Sequence, residues 1–366
     1  MKLFSCPVCS QILFFENTIC ERCRSILGYE PHSNAMLALE DRGGHFEAIG
    51  DSAPKGRWTY CANAAFDVCN WLIPADSGET FCAACRHNLT VPDLSAPENR
   101  ALWRRMEAAK HRMIYTAMRL RLPLLTRSEH PEGLGFAFLA DAPQAGAPVM
   151  TGHDNGEITI ALAEADDAER ERRRITMGEP YRTLLGHFRH EVGHWYWDRL
   201  VRDGQALEAC RAIFGDDRAD YGDALKAHYA GGPHPGWQDE FVSAYAAAHP
   251  WEDFAETWAH YFHLVDTVET AQNWGISTAP SVDADGHLTV KVDLDVFADD
   301  VGIGAIMEAG HAVTAALNAF NRAMGLQDLY PFVLSPTVVG KLGFIHDLVH
   351  ARVGEVARQT SWLSEG

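Results

Sequence analysis

Eight of the nine cysteines fall within the first 85 residues, and their spacing limits how that region can fold. Cys6-Pro-Val-Cys9 and Cys20-Glu-Arg-Cys23 are two CxxC pairs ten residues apart, a pattern that sets four thiolates around one tetrahedral ion on two knuckles. Cys61, Cys69, Cys82 and Cys85 supply a second set of four, with one CxxC and one wider pair. So short a region has a thin apolar core and needs metal to fold. Two disulfides are the competing reading for the second set. The opening MKLFSCPVCSQILFF argues against it, because Ser5 and Cys6 arrive before the apolar run of an export signal, so a cytoplasmic location is expected. Four thiolates leave no open coordination position, and both sets are therefore expected to hold structural zinc. Cys210 stands apart and is expected to be a small buried hydrophobe.

Across 366 residues, 47% are hydrophobic, which excludes a disordered chain, and no apolar run is long enough to cross a bilayer. The formal charge of −19 makes nucleic acid an unfavoured partner. Two basic stretches, Arg104 to Arg121 and Arg170 to Arg174, are read as solvated helix faces, with Lys110 on the first of them. A polar, proline-containing stretch from Thr90 to Asn99 separates the cysteine region from the rest. Ser95 can cap a helix that begins near Pro97 and runs toward Leu122, where Pro123 stops it. Gly156 to Ala163 reads as a strand, with Ile158 and Ile160 on one face and Thr159 on the other. Pro180 then permits a helix with apolar Leu184, Leu185, Phe188, Val192 and Trp195.

That helix carries His190-Glu191-Val192-Gly193-His194, with His187, His190, Glu191, His194 and Asp198 near its polar side. Residues four apart stack on one helix face, so His190 and His194 can bind one metal ion with Glu191 aimed at the same place, as in zinc hydrolases. A catalytic zinc needs a third protein ligand and one open position. The motif does not extend to HExxHxxGxxH, because Trp197 stands where glycine is required. The segment from His249 to His263 supplies candidates instead, with Pro250 suited to a first helical turn and Glu252, Glu256, His260 and His263 along one stripe. Glu256, a full turn inside the helix, is the expected ligand, with Glu252 and His260 in reserve.

HEVGHWYWD followed by EDFAE resembles the gluzincin pattern of thermolysin-like zincins. MGEPYRTLLGHFRHEVGHWYWD, HPWEDFAETWAHYFHLVDT, NRAMGL and DLYPFVLSP resemble a bacterial family of zinc-binding metallopeptidases with an N-terminal zinc-ribbon region, over nearly the whole chain. The resemblance implies an α+β architecture: small β-rich ribbon or rubredoxin-like modules at 1–40 and 41–95, then a mainly helical zincin-like domain with a small sheet at 96–366. It also implies that Asp198 orients His194 through the other ring nitrogen. His260 departs from the pattern, which has an aspartate four residues after the glutamate ligand.

The chemistry expected is hydrolysis of a peptide or isopeptide bond, with zinc-activated water and Glu191 as general base. His260, His263, Tyr261 and Tyr330 are candidate oxyanion donors, and His260 and Tyr330 are carried forward as catalytic residues. The strand at Ile158 to Ile160 could pair with extended substrate. Three zinc ions per chain, a protein or peptide substrate, a possible protein partner for the ribbons and no membrane complete the expectation. The alternatives are a DNA-associated protease recruited by its ribbons and a catalytically silent zinc-binding interaction protein.

Overall fold

The computed structural model describes residues 1–50, 54–141 and 149–351. The chain is mixed α+β and forms two compact units, Met1–Ile114 with Leu125–Arg170 and Tyr115–Leu124 with Glu171–Gly366.

In the first unit, β1 (Phe4–Ser5) and β2 (Ile12–Leu13) make a short antiparallel hairpin over the first cysteine set. Its two knuckles are built alike. Ser10 and Arg24, each just after a second cysteine, take left-handed φ values of 59° and 65°, and their N–H groups donate to Cys6 O and Cys20 O. β3 (Ile26–Glu30), β4 (Ala35–Asp41), β5 (Phe46–Ala48), β6 (Trp58–Tyr60) and β7 (Leu72–Pro74) then pair in order, antiparallel throughout. β4 runs through the boundary expected at residue 40, and a bridge between Tyr29 and Trp71 joins the first strand to the last. Leu37, Leu39, Trp58 and Leu72 form one cluster from both sides of that boundary, so the two halves share apolar packing.

A second sheet contains β8 (Asn88–Thr90), β9 (Gly135–Leu139), β10 (Gly152–Asp154) and β11 (Glu157–Ala161), in the order β10-β11-β9-β8. The strand read from Ile158 and Ile160 is β11. It pairs on both sides, parallel to β9 and antiparallel to β10, so its edges are already occupied and it cannot take an added substrate strand. The helix α1 spans Pro97–Arg119 and ends before Pro123, with Arg121 left-handed at φ 54°. Arg104, Arg105 and Arg112 are exposed as expected. Lys110 is not: it is fully buried with Glu107, Nζ to Oε2 2.8 Å. α2 (Asp167–Met177) carries the second basic stretch and pairs Arg174 with Glu171 one turn away.

The second unit comprises α3 (Leu184–Tyr196), α4 (Leu207–Phe214), α5 (Tyr221–Gly231), α6 (Pro250–Asn273), the β12–β13 hairpin (Ser277–Thr278, Val290–Lys291), α7 (Ile303–Ala323) and α8 (Pro336–Ala351). α6 is its axis, with α3, α7 and α8 packed on it. Phe254, Trp258 and Phe262 recur one turn apart with ring centroids at 6.0 and 5.2 Å, and Tyr196 of α3 stacks on Trp258 at 4.6 Å. α3 begins one turn later than Pro180 suggested, because Thr183 Oγ1 caps it by accepting from Gly186 N at 3.0 Å. After Tyr196 the chain widens into a π-helix, Trp197–Arg202. Cys210 is buried in α4, and burial pushes its thiol up to about 12. No helix among the described residues is long and apolar enough to cross a membrane.

A buried ion pair locks α3 to α6. Arg189 donates to Asp266, which also accepts from Thr116 Oγ1 at 2.8 Å, and Arg189 Nη1 lies 2.5 Å from His263 Nδ1. Burial, and then the guanidinium, hold His263 well below the ordinary histidine range, so its Nδ1 is an acceptor. Arg189→Met would leave the Asp266 charge buried without its cation, at a cost of about 3–5 kcal/mol. The denaturant midpoint should fall accordingly, and Arg189→Met with Asp266→Leu should recover most of the loss. Equal losses in the single and double variants would remove the pair as the cause.

Candidate functional site

α3 and α6 approach closely at Gly193. A Cβ there would meet Ala255 Cα at 3.0 Å, Ala255 O at 3.2 Å and Trp258 Cβ at 3.2 Å. That contact brings the first turn of α6 level with the polar face of α3. His249 caps α6, Nδ1 accepting from Trp251 N at 3.1 Å, and Pro250 opens its first turn. Glu252, in that turn, then faces His190 and His194.

The three donor atoms form a nearly equilateral triangle. His190 Nε2 lies 3.2 Å from His194 Nε2, and Glu252 Oε2 lies 3.1 and 3.4 Å from those two nitrogens. A tetrahedral zinc with bonds of about 2.0–2.1 Å separates its ligand atoms by roughly 3.3–3.4 Å. The donor set and its spacing therefore fit that ion. Glu252 Oε1 accepts from Tyr221 OH at 2.5 Å, which turns Oε2 toward the rings. Behind His190, Nδ1 meets Glu256 Oε1 at 2.7 Å, and Glu256 Oε2 accepts from Ser243 Oγ at 2.6 Å.

The electrostatics suit a cation between the rings. Burial alone would lower His190, but Glu252 and Glu256 outweigh it and hold the imidazole well above its ordinary range. Burial would raise both carboxyls, and the two imidazoles outweigh it at Glu252 as His190 does at Glu256, holding both low. A dication would displace the ring proton and occupy the same negative field. Trp251 covers His194 at a ring separation of 3.8 Å, and Tyr245 stands 6.0 Å from His190. Burial first, then Glu252, keep the phenols of Tyr221 and Tyr245 protonated.

Both cysteine sets also have ligand spacing. Cys6 and Cys23 are 3.6 Å apart at sulfur, as are Cys9 and Cys20, and Cys69 and Cys82 are 3.7 Å apart. Zn–S bonds of about 2.3 Å give roughly 3.8 Å between tetrahedral sulfurs. Each set of four converges within 4.8 Å.

Residues 99–348 match the family described as putative zinc-binding metallo-peptidase, and residues 3–96 match a zinc-ribbon domain. The chain belongs to that metallo-peptidase family. Uncharacterized proteins of Mycobacterium tuberculosis and Mycobacterium bovis are 40% identical to it over 351 residues, 95% of this chain and 95% of each relative. No solved structure matches it.

Within this family member, His190, His194 and Glu252 come together, and Glu256, the glutamate expected as third ligand, stands behind His190 instead. Both carboxylates occupy one stripe of α6. The helix register at Gly193 puts the first turn, not the second, opposite the two Nε2 atoms. Glu191 is buried on α3 beside this cluster, and His187 lies outside it. His260 Nδ1 is 2.6 Å from Tyr330 OH, and Tyr330 lines a cavity of about 400 Å³ with Leu264, His311 and Phe332. Burial lowers His260 to about 4. Asp198 is buried and accepts from Arg202 Nη1 at 3.1 Å, at the start of the π turn. Tyr221, Ser243 and Tyr245 were not singled out from sequence, and Trp251 was read there only as part of the apolar stripe of α6. The one signal for Ser243 and Tyr245 is that they stand just before the cap of the second acidic helix.

Proposed function

We propose that the chain is a zinc-dependent peptidase that uses His190, His194 and Glu252 as metal ligands and Glu191 as general base. The observation that carries this is the triangle of donors at zinc spacing beside a carboxylate that is not one of them. When bound, zinc supplies Lewis acidity and the activation of water near neutral pH. Glu191 takes the proton of the attacking water and delivers it to the leaving amine. Glu256 holds the His190 ring through Nδ1, with Ser243 fixing the carboxylate in turn. Tyr221 holds Glu252 in the same way.

The oxyanion donor in this reading is Tyr245, a protonated phenol beside the metal ligands. His260 and Tyr330 spend their closest polar contact on each other, 2.6 Å apart. Substrate is a protein or peptide, as the family implies.

The test is hydrolysis of a mixed peptide library by the full chain, read by mass spectrometry. Cleavage should stop when a chelator removes metal and return with added zinc. Cleavage that persists in metal-free protein would end the proposal. In the same assay Tyr245→Phe should lower kcat about 10²–10³-fold with little change in KM. An unaltered kcat would return the oxyanion role to His260 or Tyr330.

A further inference from the structure

The second cysteine set has neighbours that lie outside the zinc-ribbon match. His111, on α1 and beyond residue 96, places Nε2 3.5 Å from Cys69 Sγ and 3.6 Å from Cys85 Sγ. Its ring is 5% exposed and packs against Trp71 at 5.2 Å, while Nδ1 lies 3.8 Å from Glu107 Oε2. Glu107 accepts from Trp103 Nε1 at 3.0 Å and Asn88 Nδ2 at 2.6 Å, and pairs with Lys110. The imidazole is thus held edge-on to two sulfurs by a fully buried frame.

Cys85, Glu107 and His111 have the spacing of a metal triad of their own. Lys110 argues against a second ion there, because its ammonium already sits 2.8 Å from Glu107 Oε2. The four cysteines fill a tetrahedral sphere without His111. What remains for the ring is an N–H directed between two thiolates. A buried cluster of four thiolates around one dication carries net negative charge, and donors to sulfur offset it in a medium that screens poorly. Backbone donors do part of this, from Trp71 N to Cys69 Sγ and Cys85 N to Cys82 Sγ, each at 3.4 Å. Among the described residues, no imidazole is bonded to a sulfur of the first set, whose Cys9 and Cys23 are partly exposed.

We propose that His111 is an outer hydrogen-bond donor to the Cys69 and Cys85 thiolates, and that it makes the second cysteine site the slower of the two cysteine sites to exchange its metal. This rests on metal occupancy of both sets and is independent of peptidase activity.

The experiment uses zinc-loaded full-length protein mixed with EDTA and iodoacetamide, with each cysteine's alkylation followed by peptide mass spectrometry. Cys6, Cys9, Cys20 and Cys23 should label at least tenfold faster than Cys61, Cys69, Cys82 and Cys85. His111→Ala should speed labelling of the second set 10–100-fold, the range found when an outer partner of a metal ligand is removed, and leave the first set unchanged. His111→Gln, which keeps an N–H donor, should restore most of the protection. Protection unchanged in His111→Ala overturns the proposal. Equal loss in the Ala and Gln variants also overturns it, since packing of the ring would then be the cause. Labelling of all eight thiols without EDTA would overturn metal occupancy itself.

Discussion

Glu191→Gln in the zinc-loaded chain is expected to lose about 10²–10⁴-fold in kcat while keeping its metal. The reason lies in the donor arrangement. His190, His194 and Glu252 form the candidate triad, and Glu191 shares α3 with the two histidines without joining it. Glutamine preserves size and hydrogen bonding but cannot accept the proton of water at neutral pH. Metal content and turnover should therefore separate, with zinc per chain unchanged by elemental analysis and peptide cleavage close to background. Turnover within a few-fold of wild type would remove Glu191 from the chemistry. Loss of one zinc per chain would make it a ligand.

The second large effect distinguishes the two glutamates of α6. Glu252→Ala is expected to abolish binding of one zinc per chain, because Oε2 is the third corner of the donor triangle. Glu256→Gln should keep that zinc at saturating concentration and weaken it by about 10–100-fold, since its contact is with the far nitrogen of His190. Competition with a chromophoric zinc chelator measures both. If Glu256→Gln emptied the site and Glu252→Ala retained it, the ligand assignment would reverse.

The difference between these two residues shows where reading the sequence stops. Spacing was enough to pair His190 with His194, since a four-residue interval stacks side chains on any helix. The same rule put Glu252 and Glu256 on one stripe and could not choose between them. The choice depends on how far α6 slides along α3, a height set by the contact of Gly193 with Ala255. Both cysteine sets were legible because ligand spacing is local. The single sheet that joins them was not, because the bridge between Tyr29 and Trp71 pairs residues far apart in sequence. Lys110 was misread as a solvated cation because its partners, Glu107 one turn away on α1 and Asn88 on β8, become its environment only after folding.

In HExxH the two central letters are normally treated as spacers that any residue can fill. Glycine inside a helix is unfavourable by about 1 kcal/mol relative to alanine, so a chain with no use for it there would drift to another residue. With Ala255 Cα 3.0 Å from where its side chain would begin, any larger residue at position 193 presses on the α6 backbone. A homologue reading HEVAH would pass a motif search with both imidazoles intact. Its added Cβ would oblige the α6 backbone at Ala255 to give by a few tenths of an ångström, beside the turn that carries the glutamate. For this chain the informative motif is HExGH, because the residue between the histidines also bears on how closely the second helix packs.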